Sequence, residues 1–417
     1  MAPDDYDTSD EEIEADDVAS TGDLSGDDSA TLTEGSDSSD GDTRALGVVS
    51  PGAGGWVPVT GDVGPPPGPF TGASGLKHPP VVMPCPLNIL EFFTPDLLDK
   101  VVLETNRYAR QWIESHVQHL REKKRSVVHS WITQGNTNPR EFLAFLAVVM
   151  NMRLIRKPTI KSYWDCSSPS QSTPWFREHF NRERFGLMLK FLHFNDNENL
   201  PDKTDPAYRL YKIQPLVGHF QRVFQSRYIP GHKLSINESV IEYHGKAPNL
   251  RQYMPNKHHG LSGLRVWCLC EAETGYTVTL DVLKGTSHAP ASQGAATHDV
   301  VMRLLAKADL LHREHHLGLD SYFSSPELFE DLWQAQTTAT GTVWVNRKGL
   351  PKEAAHLKLG QHQVLERRKG PLLCVAHRDG KKTPVFLSTM AKAGSLLCIS
   401  KTKQTRNCLA LLQTITR

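Results

Sequence analysis

The sequence predicts an α+β protein in which a helical half precedes a mixed β-sheet. Three observations carry this. Apolar residues recur at helical spacing from residue 87 to about residue 228. The spacing changes to alternation just after Pro230-Gly231. Beyond that point strand-like and helix-like stretches follow one another, the order that builds a sheet flanked by helices.

The first 85 residues precede this pattern. Residues 1–43 hold 16 Asp and Glu and no Lys or Arg. The stretch after them is rich in Gly and Pro, as in PGAGG and GPPPGPF. Such composition buries little apolar surface, so residues 1–85 are expected to be disordered. Thr8-Ser9-Asp10-Glu11-Glu12 has the form of an acid-directed phosphorylation site.

The helical half is expected over 86–232. Leu97, Leu98, Val101, Val102, Tyr108, Ala109, Trp112 and Ile113 follow helical spacing after Thr94-Pro95-Asp96, a cap and first turn. A second helix is predicted over 139–152, capped by Asn138 with Pro139 at its first position. Phe185, Met188, Leu189 and Leu192 mark a third over 182–193. Leu216, Phe220, Val223 and Phe224 mark a fourth over 215–227.

The sheet half is expected over 233–346. Its strands are predicted at 234–243, 264–271, 276–284, 316–320 and 341–345. LRVWCLCE is apolar almost throughout, as a strand covered on both faces would be. Helices fall at 298–307, with Val300, Val301, Leu304 and Leu305 inward, and at 326–334, capped by Ser324 or Ser325. The order β-β-β-α-β-α-β is that of the ribonuclease-H-like fold. In that topology the first and fourth strands are neighbours, so Asn237 and Asp320 should face each other at the carboxyl side of the sheet. A β-rich insertion is expected over 347–390, with a hairpin turn at Arg378-Asp379-Gly380. Residues 391–417 contain no Asp or Glu and read as a divergent tail.

Bulk properties narrow the class. No run of about 18 apolar residues exists, so no transmembrane helix is expected. The acidic N-terminus argues against a secretory or mitochondrial presequence. The seven cysteines are scattered without a CxxC pair, which suits a reducing compartment. Cys268 and Cys270 share one strand face, which fits small buried hydrophobes better than zinc ligands. The formal charge is +1 overall, but residues 44–417 hold 47 Lys and Arg against 30 Asp and Glu. An acidic tail on a basic body points to a polyanion partner or to an acidic solubilising tail.

Seven stretches then point to one family. Phe191-Leu192-His193-Phe194-Asn195-Asp196-Asn197 is similar to the piggyBac transposase segment LHFxDN. Leu234-Ser235-Ile236-Asn237-Glu238 resembles LSIDE, and Gln252-Tyr253-Met254-Pro255-Asn256-Lys257 resembles QYxPNK. Gly263-Leu264-Arg265-Val266-Trp267 resembles GIKxW, and Cys270-Glu271 with Thr274-Gly275-Tyr276 resembles CDxxTGY. Leu319-Asp320-Ser321-Tyr322-Phe323-Ser324-Ser325 resembles xDNFFTS. Gly341-Thr342-Val343 and Asn346-Arg347-Lys348-Gly349-Leu350-Pro351 resemble GTVRxNRKxxP. The likeness runs in order from about Pro86 to Met390.

The resemblance implies a DDE-type active site, in which three carboxylates hold two Mg²⁺ ions for in-line phosphoryl displacement on DNA. Mapped onto this chain, the first carboxylate falls on Asn237 and the second, a metal ligand, on Asp320. The third should follow the insertion, but no acid occurs after Asp379. The closing C-terminal helix and the family's cysteine-rich zinc module are therefore expected to be missing. A carboxamide is neutral and cannot bridge two cations, so Mg²⁺ is expected to be ancestral rather than retained. Glu238 should point away from Asp320, because strand neighbours face opposite ways. Without the family likeness, Asn237 reads as an ordinary strand asparagine and Asp320 as a turn cap. The nineteen histidines read as surface and loop residues.

Lys257, Arg265, Arg347 and Lys348 are the candidate DNA-backbone contacts, with REKKR at 121–125 as a further basic run. The expected function is a transposable-element-derived, DNA-binding nuclear protein that has lost strand cleavage. A homodimer is an open expectation; no membrane and no small-molecule substrate are expected. Two alternatives stay open: an interaction protein without a DNA role, and a decayed or truncated element copy.

Overall fold

The computed structural model describes residues 55–59, 70–79, 90–122, 128–242, 252–254, 261–283, 293–355, 359–360, 363–378 and 383–392. Two short strands come first, β1 (Val57–Pro58) and β2 (Gly75–Leu76). Six helices follow: α1 (Pro95–Ser115), α2 (Val117–Glu122), α3 (Val128–Gln134), α4 (Pro139–Leu154), α5 (Pro174–His179) and α6 (Arg182–Phe191). Then come α7 (Gln214–Arg227), β3 (Tyr228–Ile229), β4 (Lys233–Glu242), β5 (Gln252–Met254), β6 (Leu261–Glu271) and β7 (Thr277–Val282). The crossovers use α8 (Gln293–Lys307), β8 (His316–Leu319), α9 (Pro326–Gln334) and β9 (Thr338–Val343). The turn α10 (Lys352–Ala355) leads into β10 (Val364–Lys369), β11 (Leu372–His377) and β12 (Val385–Ser388). The chain divides into two compact units. Phe93–Leu200 belong to one; the other joins Ser50–Phe92 with Pro201–Arg417.

The helical unit is built on aromatic packing. Phe145 lies 5.1 Å from Phe185, Trp164 5.0 Å from Phe185, and Trp131 5.0 Å from Phe191, centroid to centroid. Two of its helices start at side-chain caps, whereas Thr94, expected to cap α1, makes no side-chain cap bond. Asn138 accepts from Glu141 N at 3.0 Å, and Asn181 from Glu183 N at 2.8 Å. Buried Arg184 lies 4.2 Å above Trp131 and grips Glu141 with two hydrogen bonds of 2.7 and 2.9 Å. Burial disfavours the Glu141 carboxylate, but these bonds hold its pKa below the ordinary value. The third helix ends at Phe191, two residues before expectation, because the Thr105 hydroxyl takes over the backbone of His193. His193 stacks on Tyr108, and Asp196 accepts from Arg107 and Gln111, each at 3.2 Å. The signature stretch 191–197 is thus a packing element of this unit.

The second unit holds one ten-stranded sheet in the order β1-β10-β11-β12-β9-β8-β4-β6-β5, with β7 also on β6. Within it, β7-β6-β4-β8-β9 is the ribonuclease-H-like order, with the first and fourth strands of that set side by side and parallel. The crossover helices α8 and α9 cover one face. There Leu234, Ile236, Leu269, Leu317 and Leu319 meet Val301, Leu304, Leu305, Leu328 and Phe329 in one buried cluster. At about 1.5–3 kcal/mol per buried aliphatic side chain, this cluster fixes which face of each strand turns inward. Ser325 caps α9 through Leu328 N at 3.2 Å. β9 begins at Thr338, three residues earlier than predicted, since Thr338–Thr340 pair with β8 and Thr340 also with β12.

The expectation of disorder over 1–85 needs correction for two pieces. Trp56 packs on the core cluster and β1 pairs with β10; Phe70 packs near β3, which pairs with β2. Two aromatic anchors offset the cost of ordering an otherwise Gly- and Pro-rich stretch. The predicted tail over 391–417 lies almost wholly outside the described residues. No helix among the described residues is long and apolar enough to cross a membrane.

Three imidazoles gather where Phe70 docks. Phe70 lies 5.2 Å from His232 and 5.1 Å from His315, and His232 lies 6.2 Å from His316. Burial, with the charges of His232 and Lys233, pushes His316 down to about 4. Burial likewise lowers His232, against Glu273 and with Lys233, and His315, with His232 and Arg313. The unfolded chain therefore binds a proton that folded His316 refuses, and stability falls as pH drops from about 6.5 towards 4. Thermal unfolding of the His316→Gln variant should show a shallower loss between pH 6.5 and pH 4.5 than the wild type. Parallel slopes would remove this assignment.

Candidate functional site

The site is set by two neighbouring strands. β4 and β8 run parallel with Lys233 against His316, Leu234 against Leu317 and Ser235 against Gly318. Continuing that register puts Ile236 level with Leu319 and Asn237 level with Asp320. Leu234, Ile236, Leu317 and Leu319 turn into the core, so alternation sends Ser235, Asn237, Gly318 and Asp320 to the opposite face. Both Asn237 and Asp320 are half-buried.

Asp320 also organises the turn that follows it. Its Oδ1 accepts from Tyr322 N at 2.9 Å, and its carbonyl accepts from Ser324 N at 3.1 Å and Ser324 Oγ at 2.8 Å. The turn sits hard against β9. A Cβ on Gly341 would lie 2.4 Å from the Leu319 carbonyl oxygen and 2.5 Å from Ser324 Oγ, so only glycine fits there.

The remaining candidates lie around this turn or elsewhere. Glu238 is on the core-facing side of β4, where it pairs with Arg265 at 2.8 Å. Arg265 lies 4.3 Å above Trp267 and 5.3 Å from Tyr322. Arg347 lies 4.8 Å above Trp344 and donates to the carbonyls of Ser321 and Tyr322. Burial lowers its pKa; the nearby Tyr322 and Asp320 act the other way. Lys348 is exposed. Lys257 and positions 123–125 of the basic run lie outside the described residues.

Two features of this region escaped the sequence reading. Cys268 stands directly across from Asn237 on β6, and burial raises its thiol to about 11, so it is protonated and unreactive at neutral pH. The Arg347 clamp on the 321–322 carbonyls was not visible either, since backbone acceptors leave no residue-type signal. For a two-cation site the donor set does not fit. Across β4 and β8 it offers one carboxylate and one carboxamide. Among the described residues no three His, Cys, Asp or Glu side chains converge to hold a metal.

This geometry accords with known proteins. The family model described as Transposase IS4 matches residues 85–415. The chain belongs to the piggyBac-type transposase family. Its match extends past Met390, where the motif-by-motif likeness ends. This piggyBac relative is 27% identical over 283 residues to human piggyBac transposable element-derived protein 2, covering 66% of this chain and 43% of that one. It is 24% identical over 189 residues to human piggyBac transposable element-derived protein 5, covering 45% and 32%. It thus spans less than half the length of these curated relatives. Among solved structures it superposes on a piggyBac transposase, determined as a synaptic complex with hairpin DNA. The TM-score is 0.60 at 19% identity, over 79% of this chain and 68% of that one, which establishes the fold.

The Asp320 turn makes a specific demand. Asn at position 320 keeps an oxygen for Tyr322 N, whereas Ala removes it. Asp320→Asn should stay within about 0.5 kcal/mol of wild type in denaturant unfolding, while Asp320→Ala loses about 1 kcal/mol. Equal losses would show that the charge, not the hydrogen bond, holds the turn.

Proposed function

We propose that this piggyBac-derived chain is a nuclear DNA-associating protein that does not cleave DNA strands. One observation carries the loss of cleavage. The residue level with Asp320 on the adjacent strand, where the family resemblance calls for the first carboxylate, is Asn237. A carboxamide supplies one neutral oxygen, so it neither bridges two cations nor offsets their charge. Groups that act as one catalytic unit are non-additive, so losing one member removes most of the activity. Glu238 does not stand in, since it faces the core side and is bonded to Arg265.

DNA association rests on charge and kinship. Residues 44–417 carry 47 Lys and Arg against 30 Asp and Glu. The structural relative was determined on hairpin DNA. Arg265 and Arg347 are engaged within the fold, so phosphate contact falls mainly to exposed side chains such as Lys348 and, by sequence, Lys257. In this reading residues 86–232 are a helical DNA-binding-like and dimerisation domain, 233–346 the transposase-like sheet domain, and 347–390 its β-rich insertion.

Two measurements test the proposal. The full chain should bind duplex DNA with an affinity that falls about a hundredfold between about 50 and 200 mM salt, as about four neutralised phosphates would give. A flat response sinks DNA association. Incubated with model DNA and Mg²⁺, both the wild type and Asn237→Asp should leave the strands intact. Cutting restored by that single change would show that the missing first carboxylate alone silences the site, and cutting by the wild type would overturn the proposal outright.

A further inference from the structure

Trp344 sits on the surface of the sheet unit, directly after β9. Leu319 pairs with Gly341, so Asp320 is level with Thr342 and Trp344 comes two positions later. Trp344 and the next residue, Val345, are 43% and 44% exposed. A single exposed tryptophan is ordinary. This one is held in place. Arg347 lies 4.8 Å above its ring, and the same guanidinium donates to the Ser321 and Tyr322 carbonyls. Tyr322 meets the indole edge to face, with centroids 6.3 Å apart. Arg347 N donates to the Trp344 carbonyl at 2.9 Å, which closes the turn from which exposed Lys348 emerges. Further in, Tyr322 stacks on buried Trp267 at 5.7 Å, and Arg265 lies 4.3 Å above Trp267.

An indole fixed in this way can stack on a planar heterocycle at little cost in ordering, because its rotamer is already set. A lysine beside it supplies the contact to a phosphate. An aromatic platform with a neighbouring cation is the chemistry of a single-strand site: the ring takes the base and the cation takes the backbone. In a duplex each base face is covered by its neighbours, so the platform favours unpaired bases. Where the family segment GTVRxNRKxxP has arginine, this chain has Trp344. That exchange trades a cation for a stacking surface.

We propose that Trp344 stacks on an unpaired base of single-stranded DNA while Lys348 contacts the adjacent phosphate. The inference rests on the DNA-associating reading above and gives it a preferred form of DNA.

The test uses the full chain with three labelled DNAs: an oligothymidine strand, an abasic strand of the same length, and a duplex. The abasic strand keeps the phosphates and removes the bases. The wild type should bind oligothymidine about tenfold more tightly than the abasic strand. Trp344→Ala should bring the two affinities within about twofold of each other, and Trp344→Phe should keep most of the difference. Lys348→Ala should weaken both strands alike and leave their ratio unchanged. Equal binding of the two strands by the wild type overturns the proposal, as does a difference that survives Trp344→Ala. Should the alanine variant not fold, photocrosslinking of the wild type gives the answer. A strand carrying 5-iodouracil should join to Trp344, and adducts confined to other residues overturn the proposal. If the duplex binds in a salt-dependent way but the two strands are not told apart, only this inference falls. If no DNA binds at all, the DNA-associating reading falls with it.

Discussion

The parallel pairing of β4 with β8 is the constraint on which the rest depends. The two strands are separated by α8 and three further strands, so their pairing is paid for in loop closure and must be held by burial. Leu234, Ile236, Leu317 and Leu319 are each at most 1% exposed. A slip of one residue would turn Leu234 and Ile236 outward and bring Ser235 and Asn237 into the core. That parity, enforced by apolar burial, places Asn237 and Asp320 on the same face without any contribution from their own chemistry. β9 then locks the arrangement from the other side, because Gly341 lets the Leu319 carbonyl approach more closely than any side chain would allow.

Much of this was legible in the sequence, for physical reasons. The change of period after Pro230-Gly231 reflects real burial, on one helix face before it and on alternate strand positions after it. The crossover helices and the neighbouring placement of the first and fourth strands followed from element order. What stayed hidden has a common cause. The left-handed backbone at Asp309, His312 and Glu314 is carried by residues other than glycine, so no turn signal marked it. α2, α3 and α5 span six or seven residues each, too short for periodicity to register. Trp56 and Phe70 were lost in a stretch whose average composition argues against order, though single aromatic side chains suffice to anchor it.

The basic residues show a second limit of reading from residue type. Arg265 and Arg347 look like phosphate ligands in a list of cations. In the fold each is a structural tie: Arg265 spans Glu238, Trp267 and Tyr322, and Arg347 clamps two carbonyls of the turn after Asp320 while resting on Trp344. A planar guanidinium suits this work, since it can stack and donate at once. These contacts give both arginines a place in the fold, whatever the protein binds.

The same argument separates the two site residues. Asp320 has a structural occupation of its own, because its carboxylate takes Tyr322 N and its carbonyl takes Ser324. An acid there is explained by the turn and says little about metal chemistry. Asn237 lies within a strand instead. It stands mid-strand, directly across from the Cys268 thiol, which burial keeps protonated. The asparagine at that point stands in a register held by four buried aliphatic side chains, so its place on the face shared with Asp320 is set by burial and not by its own chemistry.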